Sequence, residues 1–299
     1  MLETVLAVLV FLAVMLVAGN NLSACVGPTV GARILSKRTG TLLGAIGFSA
    51  GLLIQGSGMT NSVAILLPNA TVEMQITALL VSIVIFGIAH IARVPMSLSM
   101  SLVGLLAGLA ISKGVTSGLP YISQVAVMWF VAPVAAAVLA FFLLRILNRR
   151  QVKDIWRRIR FYKALLIVLS FTTAFSLGAN TLGLIVATAG FNWAILATAV
   201  VAVFVGAFFL GDGAIRRISQ EFFLMRYSNA TVTLATSTIL VEIAAFLNIP
   251  LSNTQTTAAA VFGTGVSYRT KFMSLKPFLT IVAGWIVAPL LSFLIGWIL

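Results

Sequence analysis

Ten apolar stretches, at about residues 4–31, 41–67, 75–92, 94–112, 120–144, 164–189, 193–211, 229–247, 251–267 and 277–299, leave little of this chain for anything else. A helix needs about 20 apolar residues to cross the roughly 30 Å hydrocarbon core of a bilayer, so the 299 residues suit about ten spans joined by short loops. Inside lipid every backbone N–H and C=O must be paired within the chain, which leaves helices or a closed barrel. The short segments of alternating hydrophobicity that build a barrel are absent. The sequence therefore predicts an all-α integral membrane protein, multi-pass in the cell membrane. Charged residues make up 8% of it, against about 25% in a soluble domain. The first stretch carries Glu3 instead of a basic leader and reads as a retained span.

The net charge of +13 would suit nucleic acid in a soluble protein, but here it serves as a ruler for topology. The segment 145–163, RILNRRQVKDIWRRIRFYK, holds eight basic residues and one acid, and by the positive-inside rule it is cytoplasmic. Counting spans outward from it puts Arg33, Lys37, Arg38, Arg93, Arg216, Arg217, Arg226, Arg269, Lys271 and Lys276 on the same side. Only Lys113 disagrees, so 18 of the 19 basic residues fall together. Five spans precede the central loop and five follow it, which gives the two halves opposite orientations. The predicted organisation is a first inverted repeat at 1–147, a basic loop at 148–163 and a second repeat at 164–299.

Matching positions carry matching residues. VPMSLSMSLVGLLAG (94–108) has Pro95, Ser97, Ser99, Gly104 and Gly108 where IPLSNTQTTAAAVFG (249–263) has Pro250, Ser252, Thr254, Ala259 and Gly263. Upstream, AGNNLSACVG (18–27) pairs with GANTLGLIVA (178–187), which sets Asn20 opposite Asn180. The separations are 75 residues from Asn20 to Pro95 and 70 from Asn180 to Pro250, so both motifs recur in order.

These motifs have a use. Proline is well tolerated in the first turn of a helix. The unpaired N–H groups of that turn, with hydroxyls two and four residues beyond the proline, suit an anion. The competing reading is close packing of small residues between membrane helices. Asn20, Asn21, Asn180 and Thr181 lie deep in apolar stretches, where a polar side chain needs a partner: a substrate, an ion or another helix. They also invite local unwinding beside Gly19 and Gly178. Glu242 is the only acid predicted inside a span, and it is a candidate proton carrier or a helix fastener. One histidine, His90, and one cysteine, Cys25, supply neither a metal cluster nor a catalytic triad. No catalytic or metal-ligating residue is expected, and the chain is not expected to be an enzyme.

With these motifs in view, the sequence resembles the inorganic phosphate transporter (PiT) family. The shared features are GNNLSACVGPTVGARILSKRTG, PMSLSMSLVGLLAG and PLSNTQTTAAAVFG, covering about 18–114 and 176–267. The resemblance implies two inverted repeats; segments 94–112 and 251–267 are themselves short and rich in small residues, so broken or re-entrant helices are expected at the Pro-x-Ser motifs. The resemblance also implies a secondary transporter of phosphate or a related tetrahedral oxyanion, driven by sodium or protons. The family asparagine falls on Asn20 and Asn180, and its hydroxyls on Ser97, Ser99, Ser252 and Thr254. The family's aspartates fall on Asn21 and Thr181, and its motif histidine on Met100 and Gln255. A sodium ion would thus meet neutral oxygens only.

The expected substrate ligands are Asn20, Ser97, Ser99, Asn180, Ser252, Asn253, Thr254 and Gln255; the expected coupling residues are Asn21, Thr181 and Glu242. The expected partners are a small inorganic anion and membrane lipid, with no nucleic acid and no cofactor beyond H+ or Na+. Gly- and Ala-rich helices leave a homodimer open. Two other functions remain: a sulfate permease of the same fold, and an uncoupled anion channel or uniporter.

Overall fold

The computed structural model describes residues 2–91, 96–149, 154–211, 227–268 and 275–299. Pro95, Arg93 and the basic residues of 150–153, 212–226 and 269–274 lie outside them. Among the described residues every regular element is helical, as a multi-pass membrane protein of this kind requires.

The first half contains α1 (Leu2–Gly31), α2 (Lys37–Gln55), a 3-10 turn at Gly56–Gly58, α3 (Met59–Leu66), α4 (Val72–Ile91), α5 (Leu98–Ser112) and α6 (Leu119–Arg149). The second contains α7 (Ile155–Leu177), a π-helical turn at Gly178–Leu182, α8 (Gly183–Thr188), α9 (Trp193–Phe209), α10 (Tyr227–Phe246), α11 (Asn253–Tyr268) and α12 (Leu275–Ile298). Side-chain caps open several of them. Ser36 accepts from Thr39 N at 3.2 Å, Asp154 from Arg157 N at 3.1 Å and Asn192 from Ile195 N at 3.0 Å.

Among the described residues, six segments are long and apolar enough to cross a bilayer, and Leu98–Ser112, Trp193–Phe209 and Val282–Ile298 are shorter apolar helices. At about 1.5 Å per residue, the 15 residues of α5 reach about 22 Å, short of the roughly 30 Å core. Both Pro-x-Ser motifs lie ahead of such short helices. The stretch read as one span at 41–67 is broken at Gly56, and the one at 164–189 is interrupted by the π-turn.

The halves are interleaved. Helix α5 packs along α12 and α11 along α6, while α1 packs along α9 and α2 along α7. The first two pairings share an atomic detail. A Cβ at Gly108 would run into the carbonyl of Phe293, and a Cβ at Gly263 into the carbonyl of Ala137. Both carbonyls stand four residues past a proline inside a helix, Pro289 and Pro133. The motif glycine thus lets one helix backbone rest on another, which is how membrane helices without a hydrophobic drive gain contact. Gly263→Ala is expected to cost about 1–3 kcal/mol through overpacking, seen as a lower unfolding midpoint in detergent. Gly87→Ala, with open space around its Cβ, is expected to be neutral or stabilising by up to about 1 kcal/mol.

The expectation of unwinding divides between the halves. At Gly178 the helix widens into the π-turn, as such insertions do at functional sites. At Gly19 it does not: α1 is continuous from Leu2 to Gly31. There the glycine serves close packing, because a Cβ at Gly19 would meet Leu210 and the carbonyl of Gly206 at the end of α9.

Candidate functional site

The second Pro-x-Ser motif is the best-defined polar region. Helix α10 ends at Phe246, residues 249–252 run outside any helix, and α11 starts at Asn253. Pro250 has no N–H, and the residues on either side must place their backbone groups without a helix to absorb them. Five side chains do this. Asn180, on the π-turn, donates from Nδ2 to the Ile249 carbonyl at 2.8 Å and accepts the Leu251 N–H on Oδ1 at 3.0 Å. Trp129 Nε1 donates to the Pro250 carbonyl at 2.9 Å. Ser62 Oγ, at 2.5 Å, and the Tyr121 hydroxyl both donate to the Asn248 carbonyl. Ser252 Oγ accepts the Gln255 N–H at 3.4 Å and so caps α11.

The motif residues beyond Ser252 turn to different neighbours. Thr254 reaches α1, its hydroxyl 3.2 Å from Oδ1 of Asn21. Asn253 Nδ2 points at Cys25 Sγ, 4.0 Å away on α1, and its Oδ1 accepts from Ser237 Oγ of α10 at 2.7 Å. Ser237 also lies 2.7 Å from the Thr256 hydroxyl and 3.0 Å from that of Thr257. Gln255 is buried, its Oε1 has no hydrogen-bond partner among the described residues, and it faces an apolar cavity between α5, α6, α11 and α12.

The remaining predicted residues are placed as follows. Asn20 and Asn21 are half-buried on α1, and Thr181 is buried on the π-turn. Ser97 precedes α5, and its hydroxyl is 2.8 Å from that of buried Ser99. Met100, at the place of Gln255, is buried. Glu242 is half-buried on α10 and accepts from Ser176 Oγ of α7 at 2.5 Å. One turn away the same two helices pair Thr173 with Thr238 at 2.6 Å. Among the described residues, no three His, Cys, Asp or Glu side chains lie close enough to hold a metal.

The structure thus joins Asn21 to Thr254 and Asn180 to the Pro250 break, while Ser97 and Ser99 bond each other. Sequence reasoning missed Ser62, Tyr121, Trp129 and Ser237. Their one sequence signal is a polar tip within an apolar stretch, which many buried side chains share.

Neutral hydroxyl and amide groups, collected around a helix start, suit an anion and supply no acid or base. The sequence matches the phosphate transporter family over residues 17–296. The chain belongs to the phosphate transporter family. Like the rest of the family it is a transporter. The transporter is 25% identical over 295 residues to a protein of Methanocaldococcus jannaschii named as a phosphate permease, covering 97% of this chain and 94% of that one. It is 24% identical over 300 residues to the sulfate permease CysP of Bacillus subtilis, covering 95% and 83%. The transporter fold superposes on a solved sodium-dependent phosphate transporter with a TM-score of 0.86, at 15% identity, covering 99% of this chain and 98% of that one.

Proposed function

We propose that the protein is a secondary transporter of inorganic phosphate or a related tetrahedral oxyanion, with its substrate site where α1 meets the start of α11. The observation that carries this is the Asn21–Thr254 contact, which ties the early motif of one half to the late motif of the other. Asn20, Ser252, Asn253 and Thr254 would surround the anion, and Ser97, Ser99 and Gln255 would close the cradle from the α5 side. Asn180 would hold the break in shape while presenting its second amide hydrogen. The interleaved pairings of α5 with α12 and α11 with α6 support two inverted repeats divided by the 148–163 loop. Sites at such repeat interfaces, built from broken helices, are a common transporter design.

Coupling would follow one of two routes. A sodium ion would rest on neutral oxygens at Asn21 and Thr181, in line with the sodium-dependent neighbour. A proton would ride on Glu242, whose carboxylate meets Ser176 on the helix that leads into the π-turn. The lack of a carboxylate among the motif residues, and the likeness to a sulfate permease, keep sulfate as the second substrate reading.

Uptake of labelled phosphate and of sulfate into proteoliposomes, under separate sodium and proton gradients, tests the proposal. Phosphate accumulation driven by one of the gradients is the expected result. Accumulation of sulfate alone would reassign the substrate, and accumulation of neither would end the reading. Thr254→Ala is expected to weaken substrate binding by about 1–3 kcal/mol, the size of a hydrogen bond to a charged group. Unchanged affinity in that variant would leave the hydroxyl only its contact with Asn21.

A further inference from the structure

A second polar feature lies away from the motifs, beside the apolar cavity faced by Gln255. The cavity faced by Gln255 measures about 550 Å3. Of the α11 residues that line it, Gln255 is the farthest along the helix from Ser267, and the rest of its wall is apolar, including Ala137, Ala259 and Phe262. Val134 and Val138 of α6 line it as well, and they are 65% and 50% exposed. A smaller cavity of about 260 Å3 is lined by Arg145, Asn148 and Arg149 of α6 and Ser267 of α11.

On α6 the two cavities are lined from one face. Val134, Val138, Phe141, Arg145 and Arg149 follow one another at intervals of three or four residues and so share one face of α6. The guanidinium carbon of Arg145 sits 4.5 Å from the centre of the Phe141 ring, so the cation is seated on the same stripe. On α11, Ser267 lies five residues beyond Phe262, about 8 Å further along the axis.

We propose that the seam between α6 and α11 holds one anionic phospholipid. Its phosphodiester would sit among Arg145, Asn148, Arg149 and Ser267, and one acyl chain would run down α6 into the apolar cavity. Length supports this: Arg145 to Val134 is 11 residues, about 16 Å, and one leaflet's share of the hydrocarbon core is about 15 Å. Charge supports it as well, since basic pockets between membrane helices on the cytoplasmic side are the usual seats of anionic headgroups, and Arg145 and Arg149 open the basic central segment. A free inorganic anion would fill only the polar cavity and leave the apolar one unused. A second copy of this chain, itself carrying a net charge of +13, would not answer the two arginines. The basic pocket shares no residue with the motifs; the apolar cavity touches Gln255, so the test reads lipid retention, which does not depend on substrate transport.

The test uses the full chain, purified in detergent. Phosphatidylglycerol or phosphatidylcholine with the same acyl chains is added, and retention is read by native mass spectrometry alongside the thermal unfolding midpoint. Phosphatidylglycerol is expected to be retained and to raise the midpoint, and phosphatidylcholine to do neither. The Arg145→Gln/Arg149→Gln double variant should weaken retention about 25-fold, at about fivefold per cation near a membrane surface. Val138→Trp, which fills the groove, should weaken it while leaving the arginines in place. Inorganic phosphate at millimolar concentration should not displace the lipid.

Equal retention of the two lipids by the parent protein would overturn the proposal without recourse to any variant. So would an unchanged double variant, or displacement by inorganic phosphate, which would assign the basic cavity to the aqueous path of an anion. Val138→Cys covers the last alternative, because the native Cys25 is buried. A thiol at 138 shielded from maleimide only in a dimer would make a second copy the occupant and end the lipid reading.

Discussion

Replacing Asn180 with alanine is expected to lower the stability of the folded transporter by about 2–6 kcal/mol and to abolish uptake. The size follows from what the amide holds. Its Nδ2 donates to the Ile249 carbonyl and its Oδ1 accepts the Leu251 N–H, so one side chain spans the proline break. Asn180 and Leu251 are fully buried and Ile249 is 1% exposed, so water cannot replace either bond. A buried backbone group left unpaired costs about 1–3 kcal/mol, and the alanine variant leaves two. Asn180→Asp separates the bonds: an oxygen still accepts from Leu251, but the other carboxyl oxygen faces the Ile249 carbonyl. It should therefore fall between parent and alanine in stability only if it is protonated, and below both as the anion. Unfolding midpoints in detergent, compared with substrate affinity in the same samples, decide the matter. An Asn180→Ala protein with the parent's midpoint but weakened affinity would move the amide from the break to the substrate.

The second large effect is expected at Glu242. Under the proton-carrier reading, Glu242→Gln should reduce proton-driven accumulation of the anion to background while anion exchange across the membrane continues. Glutamine keeps the volume and can still accept from Ser176 Oγ, which now meets the carboxylate at 2.5 Å, so the α7–α10 contact survives. What the variant lacks is a proton to pick up and release. An intramembrane carboxyl is costly to retain without a task, and a helix fastener would tolerate the amide. Accumulation under a proton gradient at the parent's rate would therefore assign Glu242 to fastening, and retained sodium-driven uptake would point to the oxygens of Asn21 and Thr181.

The contrast between Glu242 and Asn180 shows where reading the chain stopped. Both stood out as polar groups in apolar surroundings, and both do have partners in the fold. Whether a partner is a backbone, a side chain or a substrate depends on which helix comes to lie opposite, and that information is not local. Thr254 and Asn21, now 3.2 Å apart, are separated by 233 positions. Trp129 and Pro250 are separated by 121, Ser62 and Asn248 by 186. Nothing in the composition of 120–131 distinguishes a tryptophan that faces lipid from one that holds a carbonyl of a broken helix. Gly19 teaches the same lesson in reverse: a residue that suggests unwinding serves instead to admit α9.

The helical character, the membrane setting, the paired motifs and the family were all present in the linear order of residues, because hydropathy and motif spacing are properties of neighbours along the chain and lipid permits few solutions for a backbone. The fastening of the 249–251 break by Asn180 and Trp129, the meeting of Asn21 with Thr254, and the apolar cavity enclosed by α5, α6, α11 and α12 were decided only by tertiary packing. Each depends on which backbones can approach closely, and in a bilayer that choice rests on shape complementarity at glycines such as Gly108 and Gly263 more than on hydrophobicity.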